Sequence, residues 1–490
     1  MRKALVVVGA AVALIGIGAA AIPFAEDVAA RRLKASLARE GVRAETVNVS
    51  VLDRSIRLSG VAGGPNAELA IADWEASGLA WPLDELLKGR VPFAGMSWGD
   101  PLHVARLHMR NFRLAQPDVG GSWTIGELTA TGVDLPRYDA VYEGPHRSEA
   151  MIARLLGALT VGRLEQGTVA HQTFDGTVYS AATIVLDGYE HGLMKTLEVN
   201  GFETRVANAR TATLSVAEVA AAGVDLRRPI RIASSLDWEP GTPIGRVPVA
   251  KARLSGFGGD LLGRYGVSLG SVASETTRES ADVSRSRTTV EGFVLAPSLR
   301  SVEALGTMMV LQAMNLKEVR LGFSCDTVDD HARRQFRVQD CALSAPGLAE
   351  LSLAASVVDA DEEFWRAIDE TDIFALLGTK AALASAKLVV ADKGLLQRAL
   401  QAKATFGGQT MPAERAALAM EIRRYQPPDV LITQDMSKLQ DTIARFVEQG
   451  GTLTIEAKPQ PTLGFEKLDY LLKPGADLVS ALGLVATLVR

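Results

Sequence analysis

The sequence predicts a β-rich α+β protein: an N-terminal transmembrane helix, then repeated β-hairpins forming a curved sheet or groove, then a more helical C-terminal region. Three observations carry this. Apolar and polar residues alternate in many short windows, the mark of strands with one buried face. Helical stretches are few and short until about residue 393. One twelve-residue pattern occurs twice. The chain has 490 residues, 47% of them hydrophobic and 22% charged, which supports a large core and excludes disorder. Lys and Arg number 52 against 57 Asp and Glu, a net charge of −5, and no long basic tract argues for nucleic acid. Two cysteines exclude a disulfide-dense scaffold and a cysteine-built metal centre.

The first element runs from Ala4 to Phe24, an unbroken apolar stretch after Arg2 and Lys3. About 21 residues at roughly 1.5 Å each reach about 31 Å, the thickness of a hydrocarbon core. A cleaved secretory peptide is the competing reading, because Ala19-Ala20-Ala21 offers a small-x-small site. Arg31, Arg32, Lys34, Arg39 and Arg43 outnumber Arg2 and Lys3, so a strict positive-inside count would place the body in the cytoplasm. The short basic tail nevertheless looks like a secretory leader and favours export. A helical extension, Ala25 to Glu40, follows.

Beyond Gly41 the period becomes two. Val47, Val49 and Val51, a polar turn at Leu52 to Ser55, then Ile56 and Leu58 read as a hairpin. Alternation returns at Ala212/Leu214/Val216, Val319/Leu321/Phe323/Cys325, Leu351/Leu353/Ala355/Val357 and Leu453/Ile455/Ala457. Short helices are expected at Pro82 to Lys88, Arg147 to Leu159, Leu299 to Met314 and Glu362 to Leu377, and longer ones at Ala413 to Arg424 and Ser437 to Gln449. Ser437-x-x-Gln440 fits a capping box for the last. The expected division is an anchor with its extension over 1–40, a hairpin body over 41–380 and a mixed cap over 381–490.

Repetition supports a modular sheet. Thr124 to Leu135 (TIGELTATGVDL) lines up with Ser215 to Leu226 (SVAEVAAAGVDL). Leu107 to Phe112 (LHMRNF) resembles Leu197 to Phe202 (LEVNGF), and Arg57-Leu-Ser-Gly-Val61 recurs as Arg253-Leu-Ser-Gly-Phe257. Hairpin units of this kind leave an apolar face that neighbours, a covering helix or a ligand must bury.

These residues resemble the opening of AsmA-like proteins. The likeness covers roughly residues 1–115: the basic leader and single helix, the hairpin ending in Leu58-Ser-Gly-Val61, the Pro82 to Gly89 helix and the strand around Val104 to Leu107. The resemblance implies a bacterial inner-membrane anchor, a periplasmic body, a curved sheet with an apolar trough, and a role in outer-membrane biogenesis and phospholipid movement. It implies no catalytic residues.

Motifs for chemistry are weak. Gly266-Val-Ser268-Leu-Gly270 matches a nucleophile elbow, but Ser271 to Arg287 reads as a loop or exposed strand rather than a helix, and His331 is the only downstream histidine. Six histidines are scattered; the odd spacing of His103 and His108 predicts opposite strand faces and no metal. Gly16-x-Gly18-x-x-Ala21 lies inside the apolar segment, and Gly256-Phe-Gly258-Gly259 lacks the Lys-Ser/Thr of a phosphate loop and reads as a turn or bulge. Ala105/Leu107/Met109 alternate with Arg106/His108/Arg110, a strand with one apolar and one basic face. The bland reading of that basic face is solvated; the sharper one sets Arg106 and Arg110 against lipid phosphates, and Ser284 to Arg287 invites the same idea. Cys325 and Cys341 flank a polar turn near residue 333 and are candidates for a cross-hairpin disulfide, with two buried thiols as the alternative.

The function expected is therefore a non-enzymatic, membrane-anchored envelope protein that binds phospholipid or helps move it between membranes, without cofactor or metal. Leu58, Leu107, Met109, Leu214, Val216, Leu321 and Phe323 are the candidates for lining a groove. The alternative is an envelope assembly or interaction scaffold, partnered by other envelope proteins, whose sheet faces close into an ordinary core.

Overall fold

The computed structural model describes residues 22–64, 68–80, 99–116, 121–140, 147–207, 212–235, 247–297, 302, 304–370, 372–426, 432–467 and 476–490. The expected Ala4–Phe24 span, apart from its last three residues, and the expected Pro82–Lys88 helix lie outside these. Among the described residues no helix is long and apolar enough to cross a membrane. The chain divides into two compact units, residues 1–248 and 249–490.

The first unit opens with a helix over residues 22–39, α1. Its strands are β1 (Val42–Arg43), β2 (Thr46–Ser50), β3 (Ser55–Gly63), β4 (Leu69–Ser77), β5 (Leu102–Gln116), β6 (Gly121–Leu135), β7 (Thr160–Gln172), β8 (Val178–Glu190), β9 (Leu193–Val206) and β10 (Ala212–Asp225). From β3 to β10 each strand pairs antiparallel with the next, while β1 and β2 both pair with β3. Antiparallel neighbours can be joined by a tight turn, as at His191-Gly192 between β8 and β9, whereas longer segments link β4 to β5 and β6 to β7. Two further helices, α2 (Arg147–Ala158) and α3 (Arg227–Ala233), follow β6 and β10.

Two lines of interrupted pairing cross this sheet. One runs through Ala105, Gly132, Gly162, Gly188, Lys195 and Gly223; the other through Asn111, Gly126, Thr168, Ala182, Gly201 and Ala217. Left-handed backbone recurs along them, with φ of +60° at Gly132, +62° at Gly188 and Gly223, +50° at Asn111 and +63° at Gly201. Each such residue bends its strand, as a bulge does. Because every strand breaks at the same line, register is unchanged across the sheet and the bends add into a crease. The lines are six residues apart on each strand, about 20 Å.

The creases also shift the side-chain alternation. On β5 the large apolar residues are Leu102 and Val104, then Leu107 and Met109, then Phe112 and Leu114, all buried or half-buried, a period of five rather than two. Ala105 accordingly is exposed in the crease and does not share the face of Leu107 and Met109, contrary to the simple alternation read from the sequence. His103 and His108, which pair with Asp134 and Thr129, fall on one face instead of two for the same reason.

The second unit is also antiparallel. Its strands are β11 (Val249–Gly258), β12 (Val267–Ser268), β13 (Ser271–Arg278), β14 (Val283–Leu295), β15 (Val319–Asp330), β16 (Gln335–Ala345), β17 (Ala349–Val358), β18 (Ala382–Asp392), β19 (Thr452–Ala457), β20 (Leu463–Gly464) and β21 (Leu484–Val489). The main order is β11-β13-β14-β15-β16-β17-β18-β19-β21, with β12 on the end of β14 and β20 on that of β18. Residues 381–490 are thus no separate cap: β18 pairs with β17 on one side and β19 on the other, so the later region continues the sheet.

Helices of the second unit are α4 (Asp260–Tyr265), α5 (Leu305–Ala313), α6 (Glu362–Glu370), α7 (Ile373–Leu377), α8 (Leu395–Gly407), α9 (Met411–Arg424), α10 (Gln434–Gln449) and α11 (Leu478–Leu482). The single helix expected over Glu362–Leu377 is two, because Asp372 caps a new start by accepting from the Ala375 N–H. The cap of α10 is Thr433, whose hydroxyl accepts from the Met436 N–H. Ser437 lies inside that helix, and the Gln440 amide donates instead to the Tyr425 carbonyl at 2.6 Å. The capping-box reading was one turn late because Thr433 offers the same chemistry nearer the chain's entry.

Candidate functional site

Cross-strand partners project to the same side of a sheet, so the ladder of the first unit assembles apolar rows. One row is Ile56, Ala76, Leu107, Ala130, Leu164, Leu186, Leu197 and Ala221; the next is Leu58, Trp74, Met109, Leu128, Gln166, Ile184, Val199 and Val219. A third runs from Val61 and Ile71 through Ile125 and Val169 to Val216. Eight strands at about 4.8 Å spacing make this face about 34 Å wide.

One end of the face is covered. Ala29 and Leu33 of α1 pack with Val49, Ile56, Ala76, Leu79 and Val104 in a fully buried cluster. Nearby, Leu128, Ala130, Val161 and Tyr189 form another. The Tyr189 hydroxyl donates to the Leu156 carbonyl of α2 at 2.8 Å, and burial pushes its phenol pKa up. Asp225, at the entry to α3, is held below the usual carboxylate range by the Arg227 guanidinium.

The other end is open among the described residues. Trp123, 40% exposed, stacks on His171 with centroids 4.0 Å apart, and Tyr179, 41% exposed, follows at 6.3 Å from His171. Phe174, in the turn between β7 and β8, is 82% exposed. Between the two ends most row residues are half-buried, although no charged side chain stands among them.

Five of the seven proposed lining residues, Leu58, Leu107, Met109, Leu214 and Val216, share this face. Four are half-buried; Val216 is core, 5% exposed. Leu321 and Phe323 belong to the second unit, on one face of β15 and half-buried. Arg106 and Arg110 occupy the opposite, polar face, and Arg110 pairs there with Asp73 at 2.5 Å. That face is a ladder of such pairs, including Arg57–Glu75 and Arg163–Asp187. Arg285 and Arg287 lie on strand β14 and meet Glu279, Gln339 and Asp326.

Cys325 and Cys341 are directly paired on β15 and β16 and joined by a disulfide, their Cα atoms 3.8 Å apart. The register shifts between Asp326 and Thr327, where Gln339 is the extra residue. Were the turn-side register kept without that shift, Cys325 would face Asp340.

The serine motif has a structural explanation. Gly266 ends α4 with φ +66°, and a Cβ there would lie 2.4 Å from the Pro297 Cα. Gly270 sits in a crease with Gly256 and Gly292. Ser268 is exposed on β12 with a helix before it and a strand after it, the reverse of an elbow. His331 packs on Trp365 at 4.2 Å. Among the described residues no group of three or more His, Cys, Asp or Glu could hold a metal.

Residues 342–488 match the model of a family described only as an uncharacterized protein. The match begins in β16 and runs into β21. No curated protein matches the chain.

Sequence reasoning missed Gln166, Ile184 and Val199, which join the face only through the ladder. The signal was present as the five-residue period, visible on β6 as Ile125, Leu128, Ala130, Val133 and Leu135.

Proposed function

We propose that the protein is a non-enzymatic, membrane-anchored envelope protein whose sheet holds phospholipid acyl chains, binding lipid or helping it move between membranes. The observation that carries this is the apolar face of the first unit: continuous over eight strands, covered by helices at one end, and partly exposed beyond them. A partly exposed apolar face of this extent can take an occupant, and an acyl chain fits its chemistry. Each methylene taken from water contributes about 0.8 kcal/mol, so two chains supply enough to hold a lipid. The resemblance of residues 1–115 to AsmA-like proteins supports the anchor, the periplasmic location and the lipid partner.

The closed-scaffold reading has its own support in the α1 end, where Leu33, Ile56 and Leu79 are fully buried. The test is lipid mass spectrometry on detergent-purified protein and on Leu214→Asp. Phospholipid should accompany the wild type and be lost from the variant, with circular dichroism unchanged. Wild-type protein free of lipid, or a variant that loses its fold, would overturn the groove. Carbonate extraction and protease access to spheroplasts check the anchor and the exported body; a soluble chain or a protected body would refute them.

A further inference from the structure

The turn between β2 and β3, Val51 to Arg54, is tied to the start of α1. The Val51 N–H donates to the Glu26 carboxylate at 2.8 Å, and the Arg54 carbonyl accepts from the Leu79 N–H at 3.1 Å. Beside it Ala29, Leu33, Ile56 and Leu79 pack in the buried cluster of the helix-covered end. Leu52 takes no part in that core and is 74% exposed at the tip of the turn. Phe24, two residues before Glu26, is 70% exposed. The neighbouring acids are all engaged: Glu26 by Val51, Asp27 by Arg31, and Asp53 by the Ser50 hydroxyl at 3.0 Å. The Arg54 guanidinium, by contrast, is exposed and has no partner among the described residues. An exposed leucine beside an unpaired cation, with the nearby carboxylates occupied, has the chemistry of a bilayer-surface contact.

We propose that the β2–β3 turn is a second membrane contact of the first unit, in which Leu52 enters the interfacial layer and Arg54 pairs with a lipid phosphate. This rests on the anchor reading of Ala4 to Phe24. The partner follows from where that apolar stretch ends, since Phe24, its last residue, already belongs to α1. Glu26 lies two residues on, a rise of about 3 Å, and helical side chains lean toward the helix N-terminus, so its carboxylate holds the turn back toward the bilayer. The headgroup layer is about 5–8 Å deep on each side, enough to receive the turn. A guanidinium suits a phosphate there by charge and by geometry. The contact also orients the unit. Leu102, Leu135, Thr160 and Leu193 end their strands on the same side as the turn, whereas Trp123, His171 and Tyr179 lie toward the opposite strand ends. The helix-covered end therefore faces the bilayer, and the open aromatic end points away from it by about 40 Å, the length of a strand of 13 residues such as β7.

The test uses the full chain in vesicles of phosphatidylethanolamine and phosphatidylglycerol, with and without a lipid bearing a nitroxide high on its acyl chain. The two native cysteines are bonded to each other, so one added cysteine takes a fluorescent label. Labels are placed by Ala20→Cys in the apolar stretch, Leu52→Cys in the turn and Phe174→Cys at the open end. The nitroxide should quench the first two and spare the third. Adding Arg54→Glu to Leu52→Cys should remove most of the quenching, and Arg54→Lys should keep it; neither change touches the Leu79 hydrogen bond, which uses the Arg54 backbone. Quenching at Ala20 without quenching at Leu52 would overturn the turn contact and leave the anchor standing. No quenching at Ala20 would remove the anchor reading and the contact together. Phe174 quenched as strongly as Leu52 would overturn the orientation, and quenching indifferent to Arg54→Glu would overturn the phosphate pairing.

Discussion

Gly132 and Gly223 hold the same left-handed backbone, φ +60° and +62°, at the same crease on strands β6 and β10. They are also the paired glycines of the twelve-residue repeat. The other repeats behave alike: Asn111 and Gly201 match at φ +50° and +63°, and Gly60 and Gly256 at +58° and +68°. What recurs in the sequence is an apolar residue, a spacer, the bend residue and another apolar residue. The repetition is the crease written out strand by strand.

Crease positions should therefore differ in tolerance according to what surrounds them. At Gly132 the nearest atom to an added Cβ is 3.5 Å away, so Gly132→Ala should cost only the left-handed backbone term, about 1–2 kcal/mol. Gly292→Ala should cost more, because its Cβ would meet the Gly270 Cα at 3.1 Å. Asn111→Gly should be neutral or stabilising. Urea denaturation of the three variants checks the order.

The Cys325–Cys341 bond closes a loop of 16 residues' separation. In the chain-entropy model that constraint is worth about 3 kcal/mol. Cys325→Ser and Cys341→Ser should each lower the unfolding midpoint of the second unit by a similar amount, and the double variant should add little. A reductant should reproduce the loss in wild type.

The start of α10 separates two hydroxyls. Thr433→Ala should destabilise by about 1 kcal/mol because it removes the cap on the Met436 N–H. Ser437→Ala should be close to neutral, since that hydroxyl only donates back to the Thr433 carbonyl. Thermal melts of the two variants would distinguish them.

Arg423 of α9 donates to Glu448 and Asp441 of α10. That guanidinium, chiefly through its hydrogen bonds, holds the Glu448 carboxyl below the ordinary glutamate value. A depressed folded pKa gives stability that is complete above the unfolded value near 4.5 and fades as pH falls through the folded one. The helix pair should thus loosen in acid, measured by melting temperature between neutral pH and the acid transition. Arg423→Ala should flatten that dependence.

Strand-rich architecture was legible because a half-buried strand must alternate, and Val47 to Leu58 does so without help from distant residues. That Leu107 and Met109 share one face of β5 was legible for the same reason. The error lay at Ala105. A local alternation rule carries the apolar face straight through the crease, whereas the left-handed bends along that line reset which side faces inward. His103 and His108 were set on opposite faces by the same step.

By itself the sequence determined the one-sided strands, the repeats, the two cysteines near a shared turn and the scarcity of chemistry-bearing motifs. These are local properties, expressed by neighbours within a few residues. Tertiary structure alone decided that Gln166 sits between Leu128 and Ile184, that Arg110 is taken by Asp73, and that Cys341 rather than Asp340 faces Cys325. Each depends on register between strands, and register is set by bulges and creases summed over the ladder, which no single strand's pattern contains.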